Sequence, residues 1–407
     1  MLRTRMDKVA SPWISRTSIL SHPSLPTPSS SSSRFRVFCK SHLVAKDLNL
    51  KLVLHDALDS CGTDTTHARA ARDGYSAQIQ NMSDIERETS ICINRCVDLG
   101  KTALYIAAED DSLISHSSVP LPIDAFLERL DDLTTDYCPH YSSSIGSSPE
   151  TLLDSIEKYL YNIKGFRRTI SSHPPAPNAF YLHSVLTQRC GSAVILALIY
   201  SEVLKMLRLW GVIDFDVEIY YPHDPLGLPR AYDKKKSKES DQQHIMTSES
   251  LLVEILRNLK ETYWPFQHGN SKSLFLGAAD AADCTDSGFH CASAKAAQHR
   301  LNRGVWTSVL FGDMRCALSA CERLILLRSN WDDLRDYAVL LYHCGYYEDA
   351  LQCFKLYKEA KQTSGLSTNA AEDDALDKLI FRLSLILTEE GWRRPSRNFL
   401  HRNSEPW

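Results

Sequence analysis

The stretch Ala193-Val-Ile-Leu-Ala-Leu-Ile-Tyr200 limits the fold more than any other part of this chain. A helix that is apolar all round in its first two turns has no face to offer water, so it must lie in the middle of a core. Gly191 interrupts the preceding pattern, and Ser192 has a side chain able to accept from an amide of the first turn. The sequence therefore predicts a central helix over 193–209. Its apolar run falls far short of the ~20 residues of a membrane span, so it reads as the axis of a soluble domain. At 407 residues, 43% of them hydrophobic, the chain can wrap that helix and form two or three domains of ~150 residues each.

Other elements can be placed around it. Residues 84–110 read as one helix. Ser83 and Glu86 have capping-box spacing, and Ile85, Cys92, Cys96, Leu99, Ala103 and Ile106 recur at helical intervals. Pro122 opens a second helix over 123–133. After a linker at 142–148, Ser148-Pro149-Glu150 starts a third, which carries Leu152, Leu153, Ile156, Tyr159 and Leu160 and stops at Gly165. Residues 179–188 read as a short helix. Phe215, Val217, Ile219 and Tyr221 alternate with Asp216, Glu218 and Tyr220, the period of a half-buried strand. Residues 222–243, with the charged run from Lys234 to Lys238, read as a solvated loop, and 251–263 as a helix.

The formal net charge of −4, from 46 basic and 50 acidic side chains, conceals an asymmetry. Residues 1–39 hold six bases (Arg3, Arg5, Lys8, Arg16, Arg34, Arg36), one acid (Asp7) and ten serines. Such a segment has no apolar stripe to bury. An acid-poor, Arg- and Ser-rich start is the composition of a transit peptide, and its serines and prolines fit a plastid address better than a mitochondrial one. The expected location is the chloroplast stroma, with the cytoplasm or a mitochondrion as alternatives. Without this leader, 40 basic side chains face 49 acidic ones and the net charge is −9, which argues against a nucleic-acid partner. Residues 40–83, mixed and rich in Gly, Asp and Thr, read as a poorly ordered linker.

Twelve cysteines form no C-x-x-C pair, and none has a second ligand pair at zinc-finger distance, so neither a metal nor another cofactor is expected. From residue 293 onward the pattern is mainly helical and repeats. Gly312, Ala317 and Cys321 are matched 33 positions later by Gly345, Ala350 and Phe354. With Ala338, these occupy the small and aromatic positions of a tetratricopeptide repeat, whose period is ~34 residues. Residues 374–387 read as a closing helix, so 290–390 is expected to be a tetratricopeptide-like region.

The sequence has no Gly-rich phosphate loop, no G-x-S-x-G and no H-E-x-x-H. One constellation could carry chemistry. Cys190 lies near the predicted start of the central helix, where partial positive charge favours a thiolate. His223 closely follows the strand and could act as base, and Asp241, or Asp224 or Asp233, could orient it. The other reading stays open: Cys190 packs as a small core residue and His223 is a turn residue.

Three stretches carry a resemblance. They are Tyr159-Leu-Tyr-Asn-Ile-Lys-Gly-Phe166, the run Asn178-Ala-Phe-Tyr-Leu-His-Ser-Val-Leu-Thr-Gln-Arg189, and Cys190-Gly-Ser-Ala-Val-Ile-Leu196. Together they resemble the SirB-type transglutaminase-like family of bacteria and plants, whose members continue into tetratricopeptide-like helices. The resemblance implies an α+β fold, predominantly α, with a degenerate transglutaminase-like domain at 84–265 followed by the repeats. It puts Ala193 where active relatives carry the nucleophile, which implies a non-catalytic domain; His223 matches the family histidine. The function expected from the whole is a binding or adaptor protein for an unidentified protein or peptide, with no nucleic-acid or membrane partner. The alternative is a cysteine-dependent hydrolase or transamidase using Cys190, His223 and Asp241.

Overall fold

The computed structural model describes residues 50–92, 96–115, 119–140, 148–169, 176–220, 227–236, 245–266, 273–283, 301, 312–328, 330–364 and 369–393. Residues 1–39, expected as a leader, lie outside them.

The N-terminal helices are α1 (Leu54–Ser60), α2 (Thr66–Asn81) and α3 (Asp84–Glu88). A poorly ordered linker was expected here, and the structure corrects it. Ala68, Ala71, Tyr75 and Ile79 form a buried stripe at helical spacing on α2. Arg72 sits on the same stripe, which disguises its apolar character in the sequence. Gly74 lets α2 approach the next helix, since a Cβ there would stand 2.4 Å from the Tyr105 ring. The Ser83 capping box forms, yet the expected helix over 84–110 is broken. It stops at Glu88, because Thr89 is extended and the following residues pair elsewhere: Ser90 bridges Thr247, and the Ile91 amide donates to the Met246 carbonyl at 3.1 Å. Ile85, expected on the apolar face, is 76% exposed. The helix resumes as α4 (Leu99–Ser115).

The middle of the chain contributes α5 (Ile123–His140) and α6 (Pro149–Glu157), the latter capped by Ser148 and running into a π-helical turn, Lys158–Ile163, that ends near Gly165 (φ +73°). There follow β1 (Arg167–Arg168), a 3-10 turn (Pro177–Phe180), α7 (Leu182–Gln188), β2 (Cys190–Gly191) and α8 (Ala193–Leu209). Helix α8 has the limits the sequence implies, and every residue from Ala193 to Leu204 is buried. Around it pack α4, α5 and α9 (Ser248–Tyr263).

Strand β3 (Val217–Tyr220) pairs antiparallel with β4 (Arg230–Asp233), with Val217 opposite Asp233 and Tyr220 opposite Arg230. The stretch read as a solvated loop thus contains a strand. Its other edge is covered too: the Met246 amide donates to the Ile219 carbonyl at 2.9 Å. Val217, Glu218 and Ile219 are all buried as well, so the strand is covered on both faces rather than half-buried.

After α10 (Leu274–Asp283) come α11 (Met314–Leu327), α12 (Trp331–His343), α13 (Tyr347–Ser364) and α14 (Ala370–Arg393). The described residues of 84–265 and 290–390, expected as two domains packed on one another, fall within one compact unit. A buried polar cluster shows why. Arg72 of α2 donates to Glu109 of α4 (Nε to Oε2, 2.9 Å) and to Glu322 of α11 (Nη1 to Oε2, 2.7 Å). Arg323 binds both oxygens of Asp110, at 2.8 and 3.0 Å. Glu322 Oε1 accepts from the amides of Val53 and Leu54 at the start of α1, each at 3.0 Å, and from the Tyr337 hydroxyl at 2.9 Å. Each of these charges is paired with a group from another part of the chain, so α2, α4 and α11 cannot part without stranding buried ions.

Candidate functional site

The junction between α7 and α8 carries the sequence's candidate nucleophile. Helix α7 ends on Arg189 in the left-handed conformation (φ 56°), with its amide bonded to the Val185 carbonyl at 2.8 Å. The chain then pairs in parallel with β1, Cys190 opposite Arg167. Gly191 is required, since a Cβ would stand 2.6 Å from a methyl of Val185. The Ser192 amide donates to the Ala179 carbonyl at 2.9 Å, and its hydroxyl accepts from the Ile195 amide at 3.4 Å.

Cys190 therefore stands on a strand, ahead of the cap, and Ser192 rather than the thiol serves the first-turn amide. The cysteine is half-buried, with Sγ 3.5 Å from the Thr169 hydroxyl. No described hydrogen bond or ion pair joins it to a histidine or a carboxylate. His223 and Asp241 lie outside the described residues. Asp233 closes β4, with Oδ1 accepting from the Lys235 amide at 3.0 Å. Ala193 is 2% exposed, its methyl packed into the core. The stretch that follows His223 returns to this junction: Arg168 Nη1 donates to the Gly227 carbonyl at 2.7 Å and the Tyr161 hydroxyl to that of Pro229 at 2.8 Å.

Two carboxylates nearby escaped the sequence reading. Burial pushes the Glu157 carboxyl up from its ordinary value, and among the described residues it accepts long bonds from the Ala231 amide (3.4 Å) and the Tyr200 hydroxyl (3.5 Å). Glu218 is 5% exposed, with Lys234 Nζ at 4.0 Å and no hydrogen-bond partner for Oε2 among the described residues. Glu157 follows Leu153 and Ile156 on the apolar face of α6, and that placement is the signal that could have found it. Among the described residues no three metal-binding side chains converge, and no helix is long and apolar enough to cross a membrane.

The repeat positions lie in the second half of the unit. Ala317, Ala338, Ala350 and Phe354 are all 0% exposed. Gly312 (φ +73°) and Gly345 (φ +81°) each stand two residues before a helix. Outside these helices, Leu351 and Leu356 of α13 and Leu387 of α14 line a groove of about 430 Å³, with Glu348 and Glu359 at its ends and Lys355 between them. On the outer side of α14, Phe381 and Leu385 are 66% and 51% exposed.

Residues 124–210, from the start of α5 to the end of α8, match the sequence profile of the transglutaminase-like superfamily. This part of the chain is a transglutaminase-like superfamily domain, and the α7–α8 junction lies inside it. No curated protein and no solved structure matches the chain.

Proposed function

We propose that this protein is a non-catalytic member of the SirB-type branch, acting in the chloroplast stroma as an adaptor whose tetratricopeptide-like helices bind one helix of a protein partner. The α13–α14 groove carries the reading. Leu351, Leu356 and Leu387 offer an apolar floor, and the acids at its two ends lie eleven residues apart on one helix face, roughly 16 Å at 1.5 Å per residue. That pattern complements an amphipathic helix with an apolar stripe and a basic residue at each end. The burial of Ala193 at the position of the family nucleophile supports a domain kept for its fold. The second reading, a cysteine hydrolase, draws on the Arg168–Gly227 bond, which brings the chain after His223 back towards Cys190.

The test compares the wild type with a Leu351→Glu/Leu387→Glu variant in affinity purification from chloroplast extract, followed by cross-linking of what the wild type enriches. The proposal expects a partner that the variant loses and whose cross-links map to a basic amphipathic helix and to α13. Identical captures would overturn it. Iodoacetamide labelling separates the two readings, because Cys61 and Cys96 are exposed while Cys190 is half-buried. An adaptor expects Cys190 to react more slowly than either, whereas faster reaction would favour the hydrolase.

A further inference from the structure

Two residues other than glycine adopt positive φ among those described, Arg189 (56°) and Arg328 (63°), each just past the end of a helix. Glycine is the residue that takes this conformation without steric cost. Arg189 repays its backbone locally: Nη1 donates to the Lys164 carbonyl at 2.9 Å. Arg328 does not. Its amide bonds to the Ile325 carbonyl at 3.1 Å, but none of the described hydrogen bonds or ion pairs uses its guanidinium, which is half-buried.

Arg328 lines a cavity of about 250 Å³ between the end of α2, α3 and the end of α11, outside the transglutaminase-like stretch. Ile79, Met82 and Leu326 supply apolar wall, and Ser76 and Gln80 supply polar atoms. The second arginine there, Arg87, is already engaged, with Nη1 2.9 Å from the Leu327 carbonyl and 3.6 Å from Glu249. Asp84 stands at the exposed rim. A guanidinium with no partner among the described residues, on a cavity with an apolar wall, matches one carboxylate, which Arg binds through two parallel bonds. The volume is just below the ~300–1,000 Å³ of ordinary ligand pockets, so the occupant is small.

From this combination of strained backbone, unused charge and cavity, we infer that the α2–α3–α11 pocket binds small organic monocarboxylates through Arg328. The site is separate from the groove on α13 and α14. The full chain is titrated with butyrate and benzoate by saturation-transfer NMR, with benzamide as the neutral isostere and inorganic phosphate as a competitor of benzoate at matched ionic strength. The expected result is saturable binding of both carboxylates and at least tenfold weaker binding of benzamide and phosphate. Arg328→Gly should raise the Tm of the free protein, because glycine accepts the left-handed backbone, and should weaken benzoate binding tenfold or more. Equal binding of benzoate and benzamide, retention of benzoate binding by Arg328→Gly, or no saturable binding of either carboxylate would overturn the inference.

Discussion

At the scale of single residues, burial sets the behaviour of His343. Its ring lies 4.2 Å from that of Phe266, its Nε2 donates to the Ala278 carbonyl at 2.8 Å, and burial pulls its pKa down to about 4. A base with a depressed folded pKa takes its proton first in the unfolded chain. Its stability contribution is therefore complete above pH ~6.5 and drains away as the pH falls towards 4, by up to about 3 kcal/mol. The urea midpoint of the wild type should fall through this window, and His343→Gln should flatten the profile there. Glu109 acts at lower pH: although burial pushes its carboxyl up, Arg72 and Arg323 hold it well below the usual range. Its contribution is present above the ordinary carboxylate value and is lost as the pH falls below ~4.5. Gly312 and Gly62 make a second contrast. Both have positive φ, but a Cβ on Gly312 would stand 2.6 Å from the Tyr263 carbonyl oxygen, while one on Gly62 would meet nothing within 4 Å. Gly62→Ala should cost about 1 kcal/mol and Gly312→Ala more than about 3 kcal/mol. Equal losses in denaturant titrations would show that contact does not decide the difference.

At the scale of elements, legibility followed from how local the determining force was. The limits of α8 could be read because a cap and an uninterrupted apolar run both lie within it. Ser192→Ala should cost about 1 kcal/mol and Ser192→Gly only a few tenths, measured by thermal unfolding. Equal effects of the two would mean that the cap side chain is not what starts the helix. Helix α2 was not legible, because Arg72 and Gly74 occupy its inner side and both need a partner from another element to make sense. Strand β4 was hidden beside the lysines that follow it, since a strand's partner is not written in its own residues. The expected helix over 84–110 broke for the same reason: residues 90 and 91 pair with 246 and 247, and no local pattern announces that.

At the scale of the whole molecule, the buried cluster of Arg72, Glu109, Asp110, Glu322 and Arg323 joins α2, α4 and α11. Removing one member leaves its partners charged and buried, so Arg72→Ala should cost about 3–5 kcal/mol. Hydrogen exchange should find α2, α8 and α11 opening with a common free energy, and a markedly lower value for α11 would contradict one cooperative unit. The same cluster separates two sources of information. Composition and period by themselves determined a predominantly helical chain, its central helix and the capped start of α6, because each depends on neighbours within a turn or two. Only the tertiary structure decided that residues 54–81 are part of the core, that α2, α4 and α11 share one buried ion cluster, and that Cys190 stands on a strand ahead of the cap. These outcomes depend on ions and edges satisfied from 23 residues away, as for Arg167 and Cys190, or from 250, as for Arg72 and Glu322, and such partners leave no trace in local sequence.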